Sequence, residues 1–494
     1  MKPRTLLIPS AACLAATFST TSLSSAQDAI KTLEPMTVVG SADAIYELPG
    51  SAAYVEAADF RERGYTNLAQ ITAKIPGVYV RDEDGFGNFP NISLRGVDGT
   101  RSTKVTVMED GILTAPAPYS APNAYYAPKA GRMSGIEFLK GSSQVKYGPQ
   151  TTGGVVNYLS TTIPEGDGTT FYNRTTYGSY NTLFQHTWYG DTQETAAGRF
   201  GYLLEFHGES SDGFRDIDGT TKDSEFSIIE PMLKLFWEPE TALKQRIEVK
   251  AGYTSFDANE TYTGLSDSDL RDDPDRRYAA SKYDEFESEQ WRSYLKWIAE
   301  PSDALRIESA VYYNSFERTW DKLGAVVLPG SSITTVAEAM LAPNGIALLK
   351  GFSPGSISTV EAYRDHEAYG WQNQVNYRFQ TGSLEHDLAV GLRLHYDQQN
   401  GDTTSHTYAS TGNGSFDFVG DSTPVPIVAQ EVFATALFVE DQIAIGKLTL
   451  RPGIRYEWLE LEATTSGVGS DSLDEYLIMG GLGANYEFNT CNSL

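Results

Sequence analysis

From Thr169 towards its end the chain repeats one pattern: long segments of alternating apolar and polar residues, with no helical period between them. In Lys447–Trp458, residues Leu448, Leu450, Ile454, Tyr456 and Trp458 fall on one face, and Thr449, Arg451, Arg455 and Glu457 on the other. A period of two over that length belongs to an extended strand with one apolar and one polar side. The theme recurs near 169–178, 181–190, 199–209, 223–237, 244–256, 288–298, 304–316, 363–380, 385–397, 431–441, 447–462 and 474–488, so twelve strands are expected. The turns at 238–243, 299–303, 381–384 and 443–446 are tight, whereas 257–287, 317–362 and 398–430 are long.

A meander with short turns on one rim and long loops on the other has the layout of an all-β transmembrane barrel. Strands this long and loops this one-sided are unusual in a soluble β-sandwich, the rival architecture. No window of 18 uncharged apolar residues occurs, so helical spans are excluded. With 29 Tyr, 22 Phe and 7 Trp the chain is too aromatic for disorder. A net charge of −27 repels phosphate backbones, which argues against a nucleic-acid partner.

Residues 1–26 read as an export signal: Lys2 and Arg4 begin it, Leu6–Phe18 is apolar, and Ser24-Ser25-Ala26 offers a cleavage site after Ala26. Cleavage would remove Cys13 and leave Cys491 alone, which excludes an internal disulfide or a cysteine metal cluster. Residues 44–165 mix periods. Leu68, Ile71 and Ile75 share a helical face that Pro76-Gly77 stops. Short strands are expected at 78–80, 92–94, 105–108, 136–139 and 155–159, which makes this a small α+β unit.

Motifs in this first third carry a family resemblance. Met36-Thr37-Val38-Val39-Gly40 resembles the TonB box of TonB-dependent outer-membrane transporters. Ile75-Pro76-Gly77-Val78, Leu94-Arg95-Gly96, Met108-Glu109-Asp110-Gly111-Ile112 and Phe138-Leu139-Lys140-Gly141 resemble the plug motifs of that family. Tyr147-Gly148-Pro149-Gln150, Gly153-Gly154-Val155-Val156-Asn157 and Thr162-Ile163-Pro164 continue the match in order. The wording around Ala117-Pro118-Tyr119 and Tyr147–Asn157 is most similar to the ferric citrate receptor branch. The resemblance implies a signal at 1–26, a TonB-box segment at 27–43, an N-terminal α+β plug at 44–165 and a barrel from 166 to 494. Only nine residues separate Ala26 from Met36, too few for the signalling domain that branch often carries, so transport without signalling is expected.

Geometry sets the barrel's expected size. A plug of about 120 residues measures roughly 35 Å across. Twelve strands spaced about 4.7 Å and tilted about 40° would close into a cylinder only ~24 Å wide, whereas the family's 22 give ~43 Å. The expectation is therefore a partial barrel, twelve of 22 antiparallel strands, from a C-terminally truncated frame.

The resemblance also implies functions for particular residues. Met36, Thr37, Val38, Val39 and Gly40 would engage a TonB-type periplasmic coupling protein as an added strand. Arg95 and Lys140 would lock the plug to barrel glutamates lying beyond Leu494. Candidate ligand contacts are Phe86, Asn88, Phe89, Pro118, Tyr119, Asn123 and the loop residue Arg318. Arginine suits an anionic iron chelate, although 398–430 contains no Lys or Arg, which weakens the case for a trivalent citrate complex. Gly351–Gly355 spells G-x-S-x-G without the strand before and helix after it that a nucleophile needs. The six histidines show no ligand spacing, and the acidic run Asp267–Asp275 lacks the glycine and final glutamate of a calcium loop.

The function expected is energy-coupled uptake of a ferric chelate by a non-enzymatic, monomeric receptor in the outer membrane of a Gram-negative bacterium, amid lipopolysaccharide. No cofactor is expected beyond iron in the transported chelate. Another metal complex, a glycan, or passive flow through a substrate-specific porin are the alternatives.

Overall fold

The computed structural model describes residues 37–41, 44–48, 50–140, 145–166, 168–221, 223–259, 261, 263–332, 334–342, 344–489 and 492–493, together with Leu33. The expected signal with its cleavage site, Met36, Cys13 and Cys491 lie outside the described residues.

The first unit is a small α+β layer. Strands β1 (Ser51–Glu56), β2 (Val78–Arg81), β3 (Asn91–Leu94), β4 (Val105–Glu109), β5 (Ile112–Leu113), β6 (Gly135–Lys140) and β7 (Gly154–Leu159) accompany helices α1 (Ala57–Arg61) and α2 (Leu68–Thr72). Five strands form a sheet in the order β1-β6-β7-β4-β5, with β4 and β7 parallel; β2 and β3 pair separately. The Asn67 side chain caps α2 by accepting from the Ala69 amide at 2.7 Å. Gly77, at φ +73°, turns the chain out into β2, where a side chain would be strained. Ile136, Phe138, Val156 and Tyr158 bury one sheet face against Phe60, Leu68, Ile71 and Ile92. The alternation of β6 sends Glu137 and Leu139 to the other face.

The expected strands at 78–80, 92–94, 105–108, 136–139 and 155–159 all fall within strands. The sequence reading did not anticipate β1, β5 or α1.

The remainder is one large antiparallel sheet. Its long strands are β8 (Thr170–Tyr177), β9 (Leu183–Thr195), β10 (Gly198–Ser211), β12 (Phe226–Pro239), β13 (Lys244–Ala258), β15 (Glu285–Ser302) and β16 (Leu305–Val327). They continue with β17 (Ser356–Thr381), β18 (Leu384–Ser410), β21 (Ala429–Ile445), β22 (Leu448–Thr465) and β23 (Gly469–Asn489). Each pairs with the next, and β24 (Asn492–Ser493) adds to β23. Among the described residues the path runs from β8 to β24 without closing on itself. In the long connections, β11 (Asp216–Ile217) pairs with β14 (Arg276–Arg277), β19 (Phe416–Asp421) and β20 (Val425–Pro426) pair with β18, and α3 (Asp267–Asp272), α4 (Val336–Leu341) and α5 (Gly345–Leu349) are short.

The two faces of this sheet are inverted relative to a soluble protein. On β12, Phe226, Ile228, Glu230, Met232, Lys234 and Phe236 are buried, and Ile229 and Trp237, at the alternate positions, are exposed. The same holds on β22, where Arg451, Arg455 and Glu457 are buried and Ile454 is 53% exposed. A sheet that hides its charges and exposes Leu, Ile and Trp suits a hydrocarbon surround and a polar lumen.

Two expectations are corrected here. Neither 317–362 nor 398–430 is loop throughout: β16 runs on to Val327, β17 begins at Ser356 and β18 runs to Ser410. An apolar band of about 25 Å needs only some ten tilted residues, so the remainder of strands of 26 and 27 residues projects beyond it. There apolar and polar residues no longer divide cleanly between the faces, with Val326 and Ile357 buried, while the hydrogen-bond ladder continues. Arg318 is therefore not a loop residue; it sits buried within β16. Gly351–Gly355 follows helix α5 and precedes β17, the reverse of the order a nucleophile elbow needs.

Candidate functional site

The segment expected to couple energy lies on the lower face of the plug sheet. The amides of Val38, Val39 and Gly40 donate to the Glu137 carboxylate at 2.9, 2.8 and 2.7 Å. Glu137 is fully buried on β6. It faces Asn157 across the β6–β7 pair and accepts from the Asn157 amide nitrogen at 2.7 Å. Val38 packs with Leu48, Ala52 and Tyr147 against Met108, Leu113, Leu139 and Val155. The expected extended conformation is not what is found: Val38 and Val39 form a bend and Gly40 has φ +97°. Successive amides that converge on one anion form a nest, which alternating strand geometry cannot provide.

A second group of charges joins plug to wall. Arg132 donates to Glu109 at 3.0 Å and to Glu230 of β12 at 3.1 Å, and lies 3.5 Å from Glu205 of β10. Lys250 of β13 reaches Glu109 at 2.7 Å and Asp110 at 2.6 Å; Arg292 of β15 reaches Glu109 at 3.2 Å and Glu230 at 3.5 Å. Lys234 lies 3.5 Å from Asp110, and Lys296 donates to the Asp110 carbonyl at 2.8 Å. Burial alone would raise the Glu109 and Asp110 carboxyls. Arg132, Lys250 and Arg292 around the first, and Lys234, Lys250 and Lys296 around the second, hold both well below the usual carboxylate range. The adjoining Gly111 amide donates to Asn157 Oδ1 at 2.9 Å, so the network touches the residue that steadies Glu137.

At the long-loop rim the plug apex meets aromatic wall residues. The Asp84 carboxylate accepts from the Phe86, Gly87 and Asn88 amides and curls that loop. Phe89 is buried among Phe256, Phe286 and Trp320. The Arg101 guanidinium lies 5.0 Å from both the Tyr125 and Trp320 rings, Arg318 lies 4.3 Å from Tyr125, and Lys322 lies 5.1 Å from Trp320. Arg101 also pairs with Glu83 at 2.6 Å. Three cations, one from the plug and two from β16, thus share two rings.

The residues expected to bind ligand divide between this rim and the wall. Phe86 and Asn88 are half-buried at the apex, with Lys129 donating to Asn88 at 2.8 Å. Pro118 is buried. Tyr119 is tied to β18: the Tyr119 and Ser120 amides donate to Asp397 at 2.8 and 2.9 Å, and Arg393 donates to the Tyr119 hydroxyl at 2.8 Å. Asn123 is half-buried two residues before Tyr125.

The expected lock residues lie elsewhere. Arg95 is exposed, and Lys140 donates to the Pro76 carbonyl at 2.6 Å. Burial, then the nearby Arg95 charge, lowers the Lys140 ammonium. Among the described residues no ion pair joins either to a wall carboxylate. The cluster that joins Arg132, Lys250 and Arg292 to Glu109 and Asp110 has no counterpart in the sequence reading beyond the motif Met108–Ile112. The inward-facing Lys234, Lys250, Arg292 and Lys296 were its readable signal, since cations on the buried side of a strand need anions opposite. Glu137 was missed too; a lone carboxylate between Ile136 and Phe138 was its only trace.

Asp321, Glu361 and His406 converge from three strands to within 4.8 Å, which linear spacing could not disclose. They could hold a divalent cation. The His406 ring already bridges Glu361 at 3.1 Å and Asp421 at 2.6 Å, an arrangement that suits an imidazolium. Asp269, in the acidic run, is bonded to Lys350 at 2.6 Å and to the Tyr278 hydroxyl at 2.8 Å.

Comparison with known proteins sets this geometry in a family. Residues 44–155 match the TonB-dependent receptor plug domain, and residues 239–490 match the TonB-dependent receptor-like β-barrel. The iron-regulated outer membrane virulence protein of Vibrio cholerae serotype O1 is 31% identical over 144 residues, 27% of this chain and 21% of that protein. Among solved structures, the ferric citrate transporter FecA in its unliganded form superposes with a TM-score of 0.70 at 22% identity, over 91% of this chain and 62% of that one. The siderophore receptor PiuA of Acinetobacter baumannii gives 0.65 at 17% identity, over 89% and 63%. The chain thus spans less than two thirds of the length of each of these three relatives, and at these identities the superpositions speak for the fold alone. With one family model covering the plug and another half of the whole sequence, the chain belongs to the TonB-dependent receptor family.

Proposed function

We propose that this chain serves energy-coupled uptake of an anionic ferric chelate, of the ferric citrate or siderophore type, across the outer membrane. The observation that carries the reading is the cation cluster shared between plug and wall. Arg101 on the plug and Arg318 and Lys322 on β16 gather around Tyr125 and Trp320 at the long-loop rim. An anionic chelate bound there would contact the plug and the wall together, with charge-assisted hydrogen bonds from both. Phe86, Asn88 and Asn123 border the same rim, Phe89 packs against Trp320, and Pro118 and Tyr119 lie where the plug meets β18.

The relatives support iron as cargo: one is named as iron-regulated and another as a ferric citrate transporter. In this reading a TonB-type periplasmic partner draws on Thr37–Gly40, with Met36 beside it, and the plug yields. Residues 27–43 form the coupling segment, 44–165 the plug, and the sheet from 166 onward belongs to a 22-strand barrel. Arg95 and Lys140 would pair with carboxylates of strands beyond those described. The receptor is monomeric, sits in the outer membrane with lipopolysaccharide around its apolar face, performs no covalent chemistry and carries no cofactor of its own.

The test is equilibrium binding of ferric dicitrate and a panel of siderophore chelates, read by quenching of tryptophan fluorescence. Arg101→Ala and Arg318→Ala should each weaken an anionic chelate roughly tenfold or more, since hydrogen bonds to charged groups contribute about 1.5–3 kcal/mol. Parental affinity in both variants, or selective binding of neutral cargo, would overturn the reading.

A further inference from the structure

The docked conformation of the coupling segment carries a consequence for its partner, which rests on the reading of Thr37–Gly40 as the coupling site. A strand that adds to a sheet edge offers its amides and carbonyls alternately to either side. Here three successive amides point to one side and end on one carboxylate. The curl depends on a bend at Val38–Val39 and on Gly40 at φ +97°. Val39 is buried. The segment can therefore satisfy Glu137 or a partner strand, but not both.

We propose that the Glu137 carboxylate is a latch that holds Val38–Gly40 curled and withholds those amides from the coupling partner until they leave it. Several features suit the role. Glu137 stands on the rigid sheet strand β6, not on a loop. Its carboxylate is steadied by Asn157 at 2.7 Å, so it does not need the segment to stay in place. Asn157 in turn accepts from Gly111, beside Asp110, whose carboxylate and carbonyl take Lys250 and Lys296 of the wall. A plug that shifts against the wall would therefore disturb the group that orients the latch. A buried carboxylate left without its three donors is costly, which keeps the segment down in the resting state.

The experiment places Cys at Val39 in outer-membrane preparations, with Cys13 and Cys491 replaced by Ser, and follows its reaction with a water-soluble maleimide. Glu137→Gln keeps the shape but removes the charge, and charge-assisted hydrogen bonds are about twice as strong as neutral ones, so labelling should accelerate roughly tenfold. Gly40→Ala leaves Glu137 intact and strains the curled form, so it should accelerate labelling as well. Protease resistance of the plug should stay parental in both. Unchanged labelling in both variants overturns the latch, as does acceleration by Gly40→Ala alone when Glu137→Gln is folded. If Glu137→Gln fails to insert, Glu137→Asp, which keeps the charge but shortens its reach to the three amides, takes its place. A synthetic peptide of residues 34–42, titrated into the periplasmic domain of a TonB-type protein, tests the coupling reading separately. Failure of the peptide to bind removes the coupling site, while parental labelling with a binding peptide removes only the latch.

Discussion

Replacing Arg132 by Met should release the plug from the wall at much lower denaturant concentration. Arg132 is almost fully buried and answers three carboxylates, Glu109 at 3.0 Å, Glu230 at 3.1 Å and Glu205 at 3.5 Å. They do not depend on it equally. Glu109 keeps Lys250 and Arg292; Glu230 keeps Arg292 and the Thr254 hydroxyl at 2.9 Å. Glu205 keeps the His186 ring at 3.5 Å and the Thr161 side chain, neither of them a fixed charge. Removing one partner of a buried pair costs about 3–5 kcal/mol because the other charge is stranded, and here that cost falls mainly on Glu205. The second variant, Arg132→Met with Glu205→Gln, removes the stranded charge and should recover most of the loss. The assay is urea-induced exposure of the plug to protease in detergent, with entry of a large antibiotic as the cellular counterpart. Parental resistance of Arg132→Met, or a double variant no better than the single, would refute the assignment of Arg132 as the plug's lock.

Two further outcomes follow from the faces of the sheet and its rim. Leu295, on the exposed side of β15, should face lipid, so Leu295→Arg should cost about 2–4 kcal/mol near the midplane; vesicle-folding titrations that match the parent would contradict the membrane sidedness. Asp284 is buried at the long-loop rim, with the Leu323 amide donating to Oδ1 at 2.7 Å, and burial pushes its carboxyl up to about 7. Because the folded value lies above the unfolded one near 4, its contribution is fully present below about pH 4 and lost as pH rises through about 7. Denaturant midpoints should fall across that window and flatten in Asp284→Asn; an equal slope in both would remove the claim.

The fold was legible where a physical boundary imposes a period. All twelve long strands lie on segments read from alternation, because lipid on one side and a plug on the other force it, as Leu450–Trp458 illustrates. Past the apolar band the constraint vanishes, which is why Arg318 was read as a loop residue although its ladder continues to Val327. The site was legible only as motifs. Thr37–Gly40 was recognised by resemblance, but its curl depends on Glu137, 99 residues from Val38 in sequence, and no local pattern encodes that pairing. The Arg132 cluster was illegible for the same reason: Arg132 finds Glu205 and Glu230 only once β10 and β12 stand beside the plug.

Uptake in the presence and absence of an energised inner membrane tests the central claim most directly. The measurement compares binding and accumulation of a radioactive ferric chelate in cells carrying the parent or Val38→Pro. Proline deletes the Val38 amide and bars the residue before it from helical backbone, so strand addition should fail while the cation cluster at the opposite rim is untouched. Both proteins should bind chelate alike, and only the parent, in energised cells, should accumulate iron. Accumulation at the parental rate by Val38→Pro, or by the parent after the proton gradient is collapsed, would contradict energy-coupled uptake through this segment.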